Sequence, residues 1–116
     1  MGTFSFPKSE RLYKKKDIQE LFDKGSSFYV YPFRVFVQKN ETHDTNQVLF
    51  SVSKKNFKKA VDRNLIKRRM REAFRLNKAA LPEASTWQMA YIYTAKTILE
   101  FAQIRDKMIA SFKRLP

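Results

Sequence analysis

Between residues 63 and 75 the chain reads RNLIKRRMREAFR, and the side chains there that can do chemistry are almost all cations. On a helix, an advance of about 100° per residue sorts them into faces. Asn64, Lys67, Arg68, Arg71 and Arg75 then fall at i, i+3, i+4, i+7 and i+11, a stripe of cations headed by one amide. Ile66, Met70, Ala73 and Phe74 form a neighbouring apolar stripe, and Leu65, Arg69, Glu72 and Leu76 a third flank. The cationic stripe is about 16 Å long at the helical rise, enough to meet several phosphates of one strand. Arginine can grip a phosphate bidentately, and each phosphate neutralised releases counterion, so such binding weakens steeply with salt. Lys54, Lys55, Lys58 and Lys59 lie just upstream and extend the same field.

Composition narrows what else this chemistry can be. The chain has 116 residues, 24 Lys and Arg against 11 Asp and Glu, and a formal net charge of +13. Residues 54–78 alone hold 11 of those cations and 2 acids (Asp62 and Glu72), about two thirds of the excess. A merely solvated helix face interleaves both signs; a one-signed face is offset by a polyanionic partner. The absence of Cys excludes disulfides, thiolate zinc sites and thiol nucleophiles. His43, the one histidine, stands in the polar stretch NETHDTNQ and reads as solvated rather than catalytic. No compact Asp/Glu/His cluster suggests a two-metal site. No apolar run approaches the roughly 18–20 residues that span a bilayer, and the first residues lack the apolar stretch of a secretory signal. The expectation is a soluble, cytoplasmic, single domain over 1–116, with residues 1–9 a candidate flexible segment.

The elements that must position the stripe follow from periodicity. A short helix is expected from Asp17, as N-cap, to about Lys24, with Ile18, Leu21 and Phe22 on one face and Gly25 in the left-handed position that ends it. Phe28 to Lys39 reads as a strand, with Phe33, Val35 and Val37 alternating against Arg34, Phe36 and Gln38, and with room for an extra short strand near Tyr29. Residues 47–53 form a second strand, and the polar turn between suggests an antiparallel hairpin. A long helix then runs from Phe57 or Lys59 to Lys78. The charge-free Trp87 to Tyr93 reads as a central strand covered on both faces. A last helix over 98–114 carries Phe101, Ile104, Met108 and Phe112 on one stripe. The order predicts an α+β fold, helices packed on one mixed sheet.

Residues 51–75, SVSKKNFKKAVDRNLIKRRMREAFR, resemble the signature of the protein subunit of bacterial ribonuclease P. Val52, Ser53, Lys54, Lys55, Ala60, Val61, Arg63, Asn64, Lys67, Arg68, Arg71 and Phe74 match it, and Arg11, Leu12, Lys16, Asp17, Phe22 and Gly25 keep the family spacing; the resemblance runs over residues 9–114. Three positions depart. Leu65 replaces a cation, the spacer between Lys55 and Ala60 lacks a glycine and is one residue longer, and Ile18 stands where Phe is frequent.

The resemblance implies a ribosomal-protein-S5-like two-layer α/β sandwich with a left-handed β-α-β crossover. It implies a protein that binds a large catalytic RNA and helps it remove the 5′ leader of precursor tRNA. The catalytic centre and its Mg2+ would belong to the RNA, with no cofactor held directly by the protein, which would be monomeric apart from the RNA. The RNA-subunit contacts would be Lys54, Lys55, Arg63, Asn64, Lys67, Arg68, Arg71 and Arg75. The leader would lie against Ile18, Phe22, Phe36, Ser51 and Ser53. For Phe22 and Phe36, plain core packing competes with base stacking. The rival reading of the whole chain is a ribosomal-protein-like structural RNA binder. A helix-turn-helix DNA binder fits less well, because strands flank the basic helix, and a stand-alone nuclease lacks a metal site.

Overall fold

The computed structural model describes residues 8–40, 44–82 and 85–116. His43 and residues 1–7 lie outside these, so the readings placed on them do too. Lys8 and Ser9 belong to a short 3-10 turn, Lys8–Glu10. Four strands follow in chain order: β1 (Ser26–Val30), β2 (Phe33–Lys39), β3 (Gln47–Val52) and β4 (Trp87–Tyr93). Three helices, α1 (Lys15–Lys24), α2 (Ala60–Asn77) and α3 (Phe101–Phe112), complete an α+β fold.

The sheet order is β1-β2-β4-β3, with β3 and β4 parallel and the other pairs antiparallel. Two expectations change here. The stretch 28–39 is not one strand; it breaks at Tyr31-Pro32, and β1 and β2 form the hairpin. β2 and β3 run in opposite directions but do not pair, because β4 lies between them. The physical reason is burial. β4 has no charged residue and is buried at every position but Ile92, so it takes the centre, where both faces are covered. The segment between Lys39 and Gln47 need only step across two strand spacings, about 10 Å. α2 provides the long crossover that a parallel β3–β4 pair requires.

Strand alternation divides the sheet into two faces. Phe33, Val35, Val37, Val48, Phe50, Val52, Met89, Tyr91 and Tyr93 pack against Ile66, Met70, Ala73 and Phe74 of α2 and Ile104, Met108 and Phe112 of α3. Both apolar helix stripes therefore fall where the periodicity puts them, with Phe101 half-buried at the edge. Inside this core the Tyr91 hydroxyl lies 2.5 Å from Ser111 Oγ. Burial pushes its pKa far above the ordinary tyrosine value, and the Ser111 bond offsets only part of that. The hydroxyl therefore stays protonated and the pair acts as a buried hydrogen-bonded strut.

The opposite face carries a smaller cluster of Leu12, Leu21 and Ala90, flanked by Ile18, Phe36 and Leu49, under α1. Helix α1 starts at Lys15 with Lys14 as N-cap, so Asp17 is not the cap. It lies in the first turn, where a carboxylate still opposes the positive end of the helix dipole. Gly25 is not left-handed either: its φ is −72° and its ψ 160°. It is glycine because a Cβ there would meet Leu21 O at 2.5 Å and Val37 O at 2.9 Å. The last helix begins later than residue 98. The Tyr93 hydroxyl takes up Thr97 O and Leu99 N–H, and Glu100 with Gln103 forms a capping box.

Candidate nucleic-acid interface

Helix α2 places the basic stripe as the 3.6-residue period requires, because its apolar stripe is fully committed to the core. Asn64, Arg68 and Arg71 are exposed and Lys67 is half-buried. Lys67, Arg68 and Arg71 take part in none of the salt bridges among the described residues. Arg75 departs from the expectation. It is ion-paired with Glu72 one turn back, its Nε donating to Glu72 Oε1 at 2.6 Å. An i,i+3 pair on one helix face explains this; the stripe's effective cations are Lys67, Arg68 and Arg71.

The other cations of the 54–78 run divide by role. Lys54 and Lys55 are exposed in the turn after β3, and Lys55 N–H donates to Ser53 Oγ at 3.0 Å. Arg63 Nη1 donates to Phe57 O at 2.7 Å and Lys58 O at 2.9 Å, so this arginine secures the turn that leads into α2. Arg69 Nη1 donates to Leu99 O at 2.6 Å and fastens α2 to the segment before α3. Lys78 is paired with Glu10 at 2.7 Å, which ties the end of α2 to the N-terminal turn. The charge run thus contains both fasteners and cations without a carboxylate partner among the described residues.

A second surface lies on the α1 side of the sheet. Strand register sets three rows across it: Gln38–Gln88–Gln47, Ser27–Phe36–Ala90–Leu49, and Tyr29–Arg34–Ile92–Ser51. The glutamine row is a chain of side-chain hydrogen bonds, Gln38 to Gln88 at 2.7 Å and Gln88 to Gln47 at 3.1 Å. α1 covers the middle row. Leu21 is buried over Ala90, and Phe22 meets Phe36 edge-to-face with centroids 4.7 Å apart. Phe22 is nonetheless exposed and Phe36 half-buried. The two rings pack against each other and present part of their surface outward, so both readings of these residues have a physical basis here. Ile18 is half-buried on the sheet-facing side of α1, and Ser51 and Ser53 are half-buried at the end of β3. Ile18, Phe22, Phe36 and Ser51 therefore share one side of the sheet.

Three exposed groups, Arg11, Tyr13 and Tyr29, were not among the site residues that the sequence suggested. A groove of about 300 Å³ between the N-terminal segment and α2 is lined by Arg11, Tyr13, Leu49, Lys67 and Arg71, among others. It exists because Leu12 N–H donates to Val48 O at 3.0 Å, which docks the N-terminal segment on the open edge of β3. Tyr13 and Arg11 gave no periodic signal, since their placement depends on that long-range bond. The sequence allows a short strand near Tyr29, but the place of this residue on the sheet follows only from the pairing of β1 with β2.

The Ribonuclease P family model matches residues 6–116. The chain belongs to the ribonuclease P protein family. It is 43% identical over 92 residues to the ribonuclease P protein component of Porphyromonas gingivalis, a match covering 78% of this chain and 67% of that one. With the Citrifermentans bemidjiense component it shares 36% identity over 115 residues, covering 99% and 96%. The ribonuclease P protein of Thermotoga maritima superposes with a TM-score of 0.80 at 30% identity, over 92% of this chain and 98% of that one. The Staphylococcus aureus protein superposes equally well, with a TM-score of 0.80 at 30% identity, over 92% of this chain and 95% of that one. RNA binding, partnership with ribonuclease P RNA and a part in tRNA processing follow from the family. No helix among the described residues is long and apolar enough to cross a membrane.

Proposed function

We propose that this protein binds the catalytic RNA of ribonuclease P through α2 and the 5′ leader of precursor tRNA through the sheet face beside α1. The observation that carries this reading is the division of labour on α2. Its apolar stripe is buried while Asn64, Lys67, Arg68 and Arg71 lie on the neighbouring face. Lys54 and Lys55 extend this surface at its start, and Arg63 shapes the turn between them. Arg75 contributes field rather than a poised contact, since its guanidinium is engaged by Glu72.

The leader is single-stranded, so its bases are available to stack. Phe36 and Phe22 offer faces that accept any base, and each stacked base is worth ~1–3 kcal/mol. Ile18 adds apolar packing, and Ser51 and Ser53 add hydroxyls. Sequence tolerance of this kind suits leaders of varied composition. The endonucleolytic step itself, by this reading, belongs to the RNA and the Mg2+ it holds. Among the described residues no three His, Cys, Asp or Glu gather where they could hold a metal ion. The protein's share is electrostatic: it lowers the repulsion between two polyanions, and so the Mg2+ needed to bring them together. The protein acts as one chain per RNA, in the cytoplasm.

Reconstitution tests this. Added to a bacterial ribonuclease P RNA at low Mg2+ and physiological salt, the protein is expected to stimulate cleavage of precursor tRNA. A protein that binds the RNA without any stimulation would instead match a purely structural RNA binder.

A further inference from the structure

The row Tyr29–Arg34–Ile92–Ser51 crosses all four strands on the α1 side of the sheet. None of its members belongs to the cluster that α1 covers. Tyr29 is 46% exposed. Its hydroxyl lies 3.0 Å from Thr94 Oγ1, beyond the end of β4. Thr94 is itself held, Oγ1 donating to Pro32 O at 2.9 Å and its N–H to the same oxygen at 2.7 Å. The ring of Tyr29 is therefore tethered at both ends, by its strand and by its hydroxyl, and leans across the β1–β2 turn. Arg34, exposed on the adjacent strand, has its guanidinium carbon 5.8 Å from the ring centroid. That lies near the outer limit of about 6 Å for a cation–π contact, so the guanidinium can turn to a phosphate while a base takes the ring.

We propose that Tyr29 and Arg34 form a separate subsite for one unpaired nucleotide, with Tyr29 stacking the base, Arg34 meeting its phosphate and Ile92 forming an apolar floor. The ligand is argued from chemistry on the surface. The row pairs a pre-oriented aromatic ring with a cation, Lys54 and Lys55 lie beyond Ser51 along the chain, and the row adjoins Phe36 one register step away. This rests on the leader reading above, which it extends from the α1-covered cleft to the β1 edge.

An abasic scan of the leader tests it. Precursor tRNAs with each leader nucleotide replaced in turn by an abasic unit are bound to the reconstituted holoenzyme under conditions that block cleavage. With the unaltered protein, two positions are expected to lose about tenfold in affinity each. Tyr29→Ala should abolish the loss at one of them and leave the other intact; Phe36→Ala should do the reverse. Tyr29→Phe, which keeps the ring, should retain the positional loss, and Arg34→Gln should lower the salt slope by about one phosphate. If Phe36→Ala erases one positional loss and Tyr29→Ala erases none, the subsite is refuted and the cleft stands. If neither substitution changes any position, the leader reading itself falls.

Discussion

At Gly25 a single hydrogen lets α1 close on the sheet. Its N–H donates to Leu21 O at 2.8 Å, and any Cβ would sit within 3.0 Å of backbone oxygens on both α1 and β2. Those oxygens cannot rotate away as a side chain could. Gly25→Ala should therefore destabilise the fold by about 1–3 kcal/mol through overpacking, read as a lower denaturant midpoint at unchanged slope. A variant as stable as the parent would show that α1 floats on the sheet. The same scale separates cations that look alike in the sequence. Arg63 and Arg69 bond to backbone carbonyls, Arg75 pairs with Glu72, and Lys67, Arg68 and Arg71 make no salt bridge among the described residues. Only their surroundings distinguish them.

Helix α2 is the element to which the proposed function assigns RNA binding, because one surface anchors it in the core and another faces outward. Its buried Ile66, Met70, Ala73 and Phe74 hold the helix backbone in fixed register, so binding must order the cationic side chains but not the helix that carries them. Replacing Arg68 and Arg71 together by Ala should weaken binding to the catalytic RNA and reduce the salt slope by about one for each phosphate left unneutralised. Arg75→Ala, starting from an engaged guanidinium, should change the slope less. Affinity against salt concentration, measured for both variants, checks this; equal slopes for all proteins would remove α2 from the interface.

For the whole molecule, a net charge of +13 means that folding gathers like charges which the unfolded chain keeps apart. A polyanion that binds only the folded form must then stabilise it by mass action, by about 2.7 kcal/mol at a hundredfold excess over Kd. In a domain of this size that corresponds to a rise in Tm of roughly 10 °C or more. Trp87, the only tryptophan and buried at the start of β4, reports unfolding in the presence of RNA. The rise should shrink as salt is added. A Tm unmoved by the RNA, or moved equally at every ionic strength, would contradict electrostatic recognition.

Local patterns carried the helices and the hidden strand. The stripes of α2 and α3, and the charge-free β4, are legible because a period of 3.6 or an unbroken apolar run reflects burial of that segment itself. The α2 stripe and the family signature, both short-range, also placed Asn64, Lys67, Arg68 and Arg71 off the buried face of their helix. The sheet order was not legible: β4 slips between β2 and β3 because the three strands compete for the most buried place, and that competition spans more than fifty residues. Nor were the fates of Arg63, Arg69 and Arg75, the reason for Gly25, or the tether of Tyr29 to Thr94. Each depends on an atom brought close by folding, and a one-dimensional pattern records which groups are present but not which of them are already taken.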